Sequence, residues 1–147
     1  MSSVLKHTTM TAYISISYNE RKLLDAAITA MVDTLKGFKI HSFIFMDKYK
    51  FDSSQERQMM LQAMEDIDNS DFLIAETSDK AIGIGVEAGY AKAKNKPVIY
   101  VRQANAEHST TVSGISDYQL IYENERDLKT QLAEIIGAML RTANGDR

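Results

Sequence analysis

Five short apolar runs, TAYISIS (11–17), KIHSFIFM (39–46), DFLIAET (71–77), PVIYV (97–101) and YQLIY (118–122), alternate with stretches whose apolar residues recur every three to four positions. This alternation constrains the fold more than any other feature. A helix between two strands returns the chain to the same end of the sheet, so successive strands run parallel. Right-handed crossovers then place helices on both faces. The expected architecture is one α/β domain over residues 1–147, a doubly wound, mainly parallel five-stranded sheet, with flexible ends at 1–10 and 142–147.

Local signals refine this reading. TAYISIS has a period of two, with Tyr13, Ser15 and Ser17 on one face and Ala12, Ile14 and Ile16 on the other. Asn19 suits the N-cap of a helix with the stripe Leu24, Ala27, Ile28, Met31 and Leu35, and Gly37 suits its C′ position. Ser53 or Ser54 would cap a second helix, striped by Met60, Leu61, Met64 and Ile67 and ending near Asn69. DFLIAET is apolar through its middle, as a strand covered on both faces should be. A third helix is expected from about Ile84 to Asn95, a polar loop over 103–117, and a final helix striped by Leu128, Leu132, Ile135, Ile136 and Met139. In flavodoxin- or Rossmann-like sheets of this kind, ligands bind at the carboxyl ends of the strands. Ser15–Asn19, Met46–Asp52, Glu76–Glu87 and Arg102–Ser113 should therefore meet there.

Composition removes several function classes. The chain has no cysteine, which excludes disulfides, thiolate metal sites and cysteine nucleophiles. His7, His41 and His108 are far apart with no metal-type spacing, so a His-based metal site is not expected; no cofactor is expected either. A net charge of −3 gives no electrostatic case for a nucleic-acid polymer or an anionic membrane. No apolar run approaches the ~20 residues that span a bilayer. A cytoplasmic protein is expected.

The stretch AIGIGVEAGYA (81–91) follows the third apolar run and spaces its glycines as Gly83-x-Gly85-x-x-x-Gly89. A dinucleotide fingerprint needs a strand before the glycines, a helix after them, and an acidic residue about 20 positions on. The acidic residue is missing, because PVIYV ends in Arg102-Gln103. The glycines are instead expected to serve the backbone: positive φ in a turn at Gly83 and Gly85, and close approach of helix to sheet at Gly89. Glu87 is then left as a carboxylate in the first turn of a helix, facing the strand ends. Tyr13, Ser15 and Ser17, Thr77-Ser78, and Ser109-Thr110-Thr111 converge on the same edge and suit a sugar or phosphate.

DNSDFLIAETSDKAIGIGVEAGYAKAKNKPVIYV resembles the nucleoside 2-deoxyribosyltransferase family, including its branch of hydrolases that cut the N-glycosidic bond of deoxynucleoside 5′-monophosphates. Asp71, Gly85, Glu87, Gly89, Lys96 and Pro97 match its core pattern, and AYISIS is similar to its first strand. The resemblance implies Glu87 as nucleophile, Tyr13 orienting the ribose or the carboxylate, and Ser15 and Ser17 lining the floor. It also implies that Gly83 and Gly85 admit the sugar, and that Ser78, Ser109 and Thr110 contribute to phosphate binding. Family members carry an Asp where Ala63 stands, and Asp66, one turn later, is the candidate for its role. The monophosphate hydrolases place a Ser where Ala81 stands.

A nucleoside or nucleotide is thus the expected partner. YISISYNE also resembles the opening strand of TIR-like NAD hydrolases, and loss of the Ala63 and Ala81 functions would fit a nucleotide-binding or signalling module. Met59, Met60 and Met64 read first as core and could also serve a subunit interface, since Met makes adaptable contacts. The family is usually dimeric or larger, so a homo-oligomer is expected.

Overall fold

The computed structural model describes residues 9–19 and 21–143. Their strands, β1 (Thr11–Ser15), β2 (His41–Ile44), β3 (Phe72–Glu76), β4 (Val98–Gln103) and β5 (Tyr118–Tyr122), form one parallel sheet in the order β2-β1-β3-β4-β5. The main helices are α1 (Asp25–Gly37), α3 (Glu56–Asp68), α4 (Ile82–Ala93) and α6 (Glu125–Ala143). Two short ones, α2 (Phe45–Lys48) and α5 (Thr110–Ile115), complete the set. The α/β reading with helices on both faces holds.

The period of two in β1 divides the core. Ala12, Ile14 and Ile16 pack with α1 and α6, through residues such as Met31, Leu35, Leu132 and Ile136. Tyr13 turns to the other face and packs with Ala63 and Ile67 of α3 and Ala88 and Ala91 of α4. β3 is buried at all five positions, as its apolar run requires. The chain order reverses direction between β1 and β3, where Ser15 pairs with Ala75, and this is the switch point at which such sheets place ligands.

Several local expectations are corrected. Asn19 is not the cap of α1: residues 21–24 form turns and α1 starts at Asp25 with no side-chain cap. Arg21 ties these turns to α2 by pairing with Asp47 at 2.9 Å. Gly37 is the last helical residue rather than C′. That position belongs to Lys39 at φ 61°, with Ile40 N–H returning to the Leu35 carbonyl and Lys39 N–H to that of Lys36. Asn95 at φ 60° ends α4 in the same way, so α4 spans Ile82–Ala93 rather than Ile84–Asn95.

The second strand stops at Ile44. Phe45 turns the chain into α2 because it is buried against the rings of Tyr49 and Phe51, at centroid distances of 4.9 and 5.9 Å. Asp52, not Ser53 or Ser54, caps the second helical segment, in a reciprocal box with Gln55. The core residues of α3 are Ala63 and Ile67, whereas Met59, Met60 and Met64 are half-buried and Leu61 is exposed. The polar loop of 103–117 contains α5, capped by the Ser109 hydroxyl. At the chain ends, residues 1–8 (with His7) and 144–147 lie outside the described residues, while Thr142 and Ala143 close α6.

Candidate active site

Glu87 lies in the second turn of α4, one turn further in than expected, and its carboxylate reaches across to β1. Ser15 Oγ donates to Glu87 Oε1 at 2.5 Å, and the Tyr13 hydroxyl donates to Oε2. Two donors from alternate positions of one strand can hold a single carboxylate because both side chains leave β1 on the same face. Tyr13 is itself fixed, fully buried and stacked on Phe43 at 5.5 Å between ring centroids.

Burial pushes the Glu87 carboxyl above the usual carboxylate range, and the hydrogen bonds from Ser15 and Tyr13 pull it part of the way back. Burial, followed by the neighbouring Glu87 charge, raises the Tyr13 phenol far above its ordinary value. Tyr13 therefore stays a donor at every working pH. Tyr18, at the mouth of the same small pocket, is pushed up to about 12 by burial and by Glu87. What results is a desolvated carboxylate with two fixed donors, suited to act as a nucleophile and unsuited to bind a metal. Among the described residues no cluster of three or more His, Asp or Glu could hold a metal ion.

Asp66 does not reach Glu87. It accepts from Gln62 Nε2 at 3.2 Å and lies 3.5 Å from the Tyr49 hydroxyl, and its Oδ2 is buried with no partner among the described residues. Its charge is nevertheless felt by the Tyr13 phenol. Ala63, a turn nearer the strand ends, is buried beside Tyr13 in the core.

The free space around Glu87 is only about 10 Å³, room for about one water. A much larger cavity of about 910 Å³ opens on the other side of α4, between it and α5. Gly85, Gly89, Ala81, Lys80, Ser109 and Thr110 are among its walls, and Glu87 is not. The large cavity is thus the roomier space, and the small one is where Glu87, Tyr13 and Ser15 meet.

Gly85 and Gly89 wall the large cavity, and Gly83 does not. Gly83, Gly85 and Gly89 lie inside α4, none has positive φ, and an added Cβ would meet nothing within 4 Å at any of them. The expected turn at Gly83 and Gly85 and the close approach at Gly89 are therefore absent. Helix and sheet meet through Ala88 and Ala91, and Gly85 and Gly89 leave space unfilled on the cavity side.

The remaining predicted residues are scattered. Ser17 is fully buried, and its hydroxyl has no partner among the described residues. Ser78 accepts from Gln103 N–H at 2.8 Å and faces neither cavity. Ser109 caps α5, and its N–H donates to the Tyr100 hydroxyl at 2.9 Å. One conspicuous residue was missed. Glu76 is fully buried at the end of β3, and the signal for it was a lone carboxylate inside an otherwise apolar strand.

A family model described as nucleoside 2-deoxyribosyltransferase matches residues 16–136. Solved structures share the fold. A conserved protein from Enterococcus faecalis V583 has a TM-score of 0.67 at 14% identity, covering 86% of this chain and 98% of its own. The CMP N-glycosidase BcmB of Clostridium botulinum has a TM-score of 0.61 at 16% identity, covering 83% and 97%. A 2-deoxyribosyltransferase from Bacillus psychrosaccharolyticus has a TM-score of 0.59 at 16% identity, covering 81% and 90%. No protein of curated function matches the sequence. The family match runs from just past β1 into α6, and the chain belongs to the nucleoside 2-deoxyribosyltransferase family.

Proposed function

We propose that the protein cleaves the N-glycosidic bond of a nucleoside or nucleoside 5′-monophosphate, with Glu87 as nucleophile. The observation that carries this is the pair of donors, Tyr13 and Ser15, aimed at one desolvated carboxylate at the switch point of the sheet. A Glu87 oxygen attacks C1′ as the C1′–N bond breaks, and the bonding pair leaves with the base. Asp66 or a water supplies the proton that the departing base takes up. Water then attacks C1′ of the glycosyl ester, loses a proton, and frees both sugar and carboxylate. A second base in place of water makes the same step a transfer. The family match and the CMP N-glycosidase and deoxyribosyltransferase among the fold neighbours support this over a TIR-like reaction on NAD.

Substrate would enter from the α4–α5 side, where Gly85, Ser109 and Thr110 wall the large cavity, while Ser15 lies beside Glu87; Gly83 and Ser17 wall neither cavity. Ser78 is tied into the sheet edge and would contribute through the backbone turn only. We read the protein as a cytoplasmic homo-oligomer. Ile82 is 89% exposed and Val86 49% exposed on α4, an apolar face suited to a second copy. Light scattering of the purified protein tests this.

The activity is tested by incubating the protein with nucleosides, their 5′-monophosphates and NAD, followed by chromatography of the released bases. Release from a nucleoside or monophosphate, abolished by Glu87→Gln, is the expected result. Nicotinamide release alone would favour the TIR-like reaction. Nucleotide binding without turnover would favour the module reading, to which Ala63 and Ala81 point.

A further inference from the structure

Glu76 lies on the opposite face of the sheet from Glu87 and touches neither cavity. Its two neighbours along that face of β3, Phe72 and Ile74, are core residues packed toward α1 and α6. A carboxyl there, fully buried, is expensive unless each oxygen is bonded. Both are. Ser78 N–H donates to Oε1 at 2.5 Å, and the Tyr122 hydroxyl donates to Oε2 at 2.7 Å.

These bonds join the carboxyl ends of three adjacent strands. Tyr122 ends β5, Ser78 begins the turn from β3 to α4, and Ser78 Oγ accepts from Gln103 N–H at the end of β4. Thr77 adds to the same seam, with its N–H and its hydroxyl donating to the Val101 carbonyl at 2.7 and 3.0 Å. The turn so pinned leads directly into α4, whose second turn carries Glu87.

We propose that Glu76 is a positioning residue: by clamping the β3–α4 turn to the ends of β4 and β5, it sets the placement of α4 and thereby of Glu87 against Tyr13 and Ser15. This rests on the reading of Glu87 as nucleophile. Burial raises the Glu76 carboxyl above the usual carboxylate range, offset in part by Ser78 and Tyr122. A neutral amide of the same shape is therefore its conservative replacement: its carbonyl accepts from Ser78 N–H, and its NH₂ donates to a reoriented Tyr122 hydroxyl.

The test combines hydrogen exchange across residues 77–90 with steady-state base release, in wild type, Glu76→Ala, Glu76→Gln and Tyr122→Phe. Glu76→Ala is expected to lose protection in the turn and the start of α4, and to lower kcat by tenfold or more with KM within about twofold. Glu76→Gln should restore both readouts, and Tyr122→Phe should fall between. Should Glu76→Ala fail to fold, Tyr122→Phe and Glu76→Gln carry the same comparison. Unchanged exchange and turnover in Glu76→Ala and Tyr122→Phe, or a Glu76→Gln as damaged as Glu76→Ala, would overturn the proposal. If the wild type released no base, the activity reading would fail, and the exchange comparison would still decide whether Glu76 holds the turn.

Discussion

Ser15 Oγ donates to Glu87 Oε1 across 2.5 Å, joining the end of the first strand to a helix 72 residues later in the chain. The bond favours the ionised carboxylate that the proposed attack on C1′ requires. Burial works against ionisation, and the hydrogen bonds from Ser15 and Tyr13 oppose it. Removing either donor should therefore raise the Glu87 pKa further. For Ser15→Ala and Tyr13→Phe, the acid limb of kcat/KM is expected to move to higher pH. Because a hydrogen bond to a charged group contributes about 1.5–3 kcal/mol, each loss should lower kcat/KM near neutrality by roughly 10- to 100-fold. A pH profile of each variant checks both effects.

Ala81 is the N-cap of α4 and has no side chain to satisfy the helix N–H groups. Ala81→Ser supplies the missing oxygen and should stabilise the protein by about 0.5–2 kcal/mol. The hydroxyl also stands on the wall of the large cavity. Tighter binding of a 5′-monophosphate, with no change for the nucleoside, is expected by calorimetry.

Gly85 gives a prediction of opposite signs. Alanine is favoured over glycine in a helix by about 1 kcal/mol, and a Cβ at this position meets nothing. Gly85→Ala should raise the melting temperature. It also places a methyl group in the large cavity, so nucleotide affinity should fall in the same variant.

Asp66 can serve as the proton source only through movement or an intervening water, since it is held by Gln62 and Tyr49 and walls neither cavity. Asp66→Asn is expected to lower base release on the order of 10²-fold for a poor leaving base. A base activated toward departure should be far less affected. Comparing the two leaving groups at fixed pH measures this.

The fold was legible because each apolar run and stripe buries against the same sheet, so local period and global packing agree. Tyr13, Ser15 and Glu87 were legible for the same reason: strand alternation put the first two on one face, and the sheet edge brought the third to them. The errors occur where tertiary contacts overrode local signals. Arg21 pairs with Asp47 and delays α1 beyond Asn19, and Phe45 leaves the strand to join Tyr49 and Phe51. α5 was hidden in Ser, Thr and Gly, and Val112 is its only buried residue. The glycines of α4 were read as backbone devices because empty space leaves no local pattern. Glu76 was passed over inside an apolar strand, since its partners Ser78, Gln103 and Tyr122 come together only in the folded sheet.

As the proposed nucleophile, Glu87 would bond covalently to C1′ of the sugar during turnover. Intact mass spectrometry of the protein, quenched during turnover of a slow 2-fluoro-substituted nucleotide analogue, tests it most directly. The expected result is a mass increase of one glycosyl unit, located by digestion to the peptide containing Glu87 and absent in Glu87→Gln. An adduct on another residue, or a Glu87→Gln variant with near-normal turnover, would contradict it.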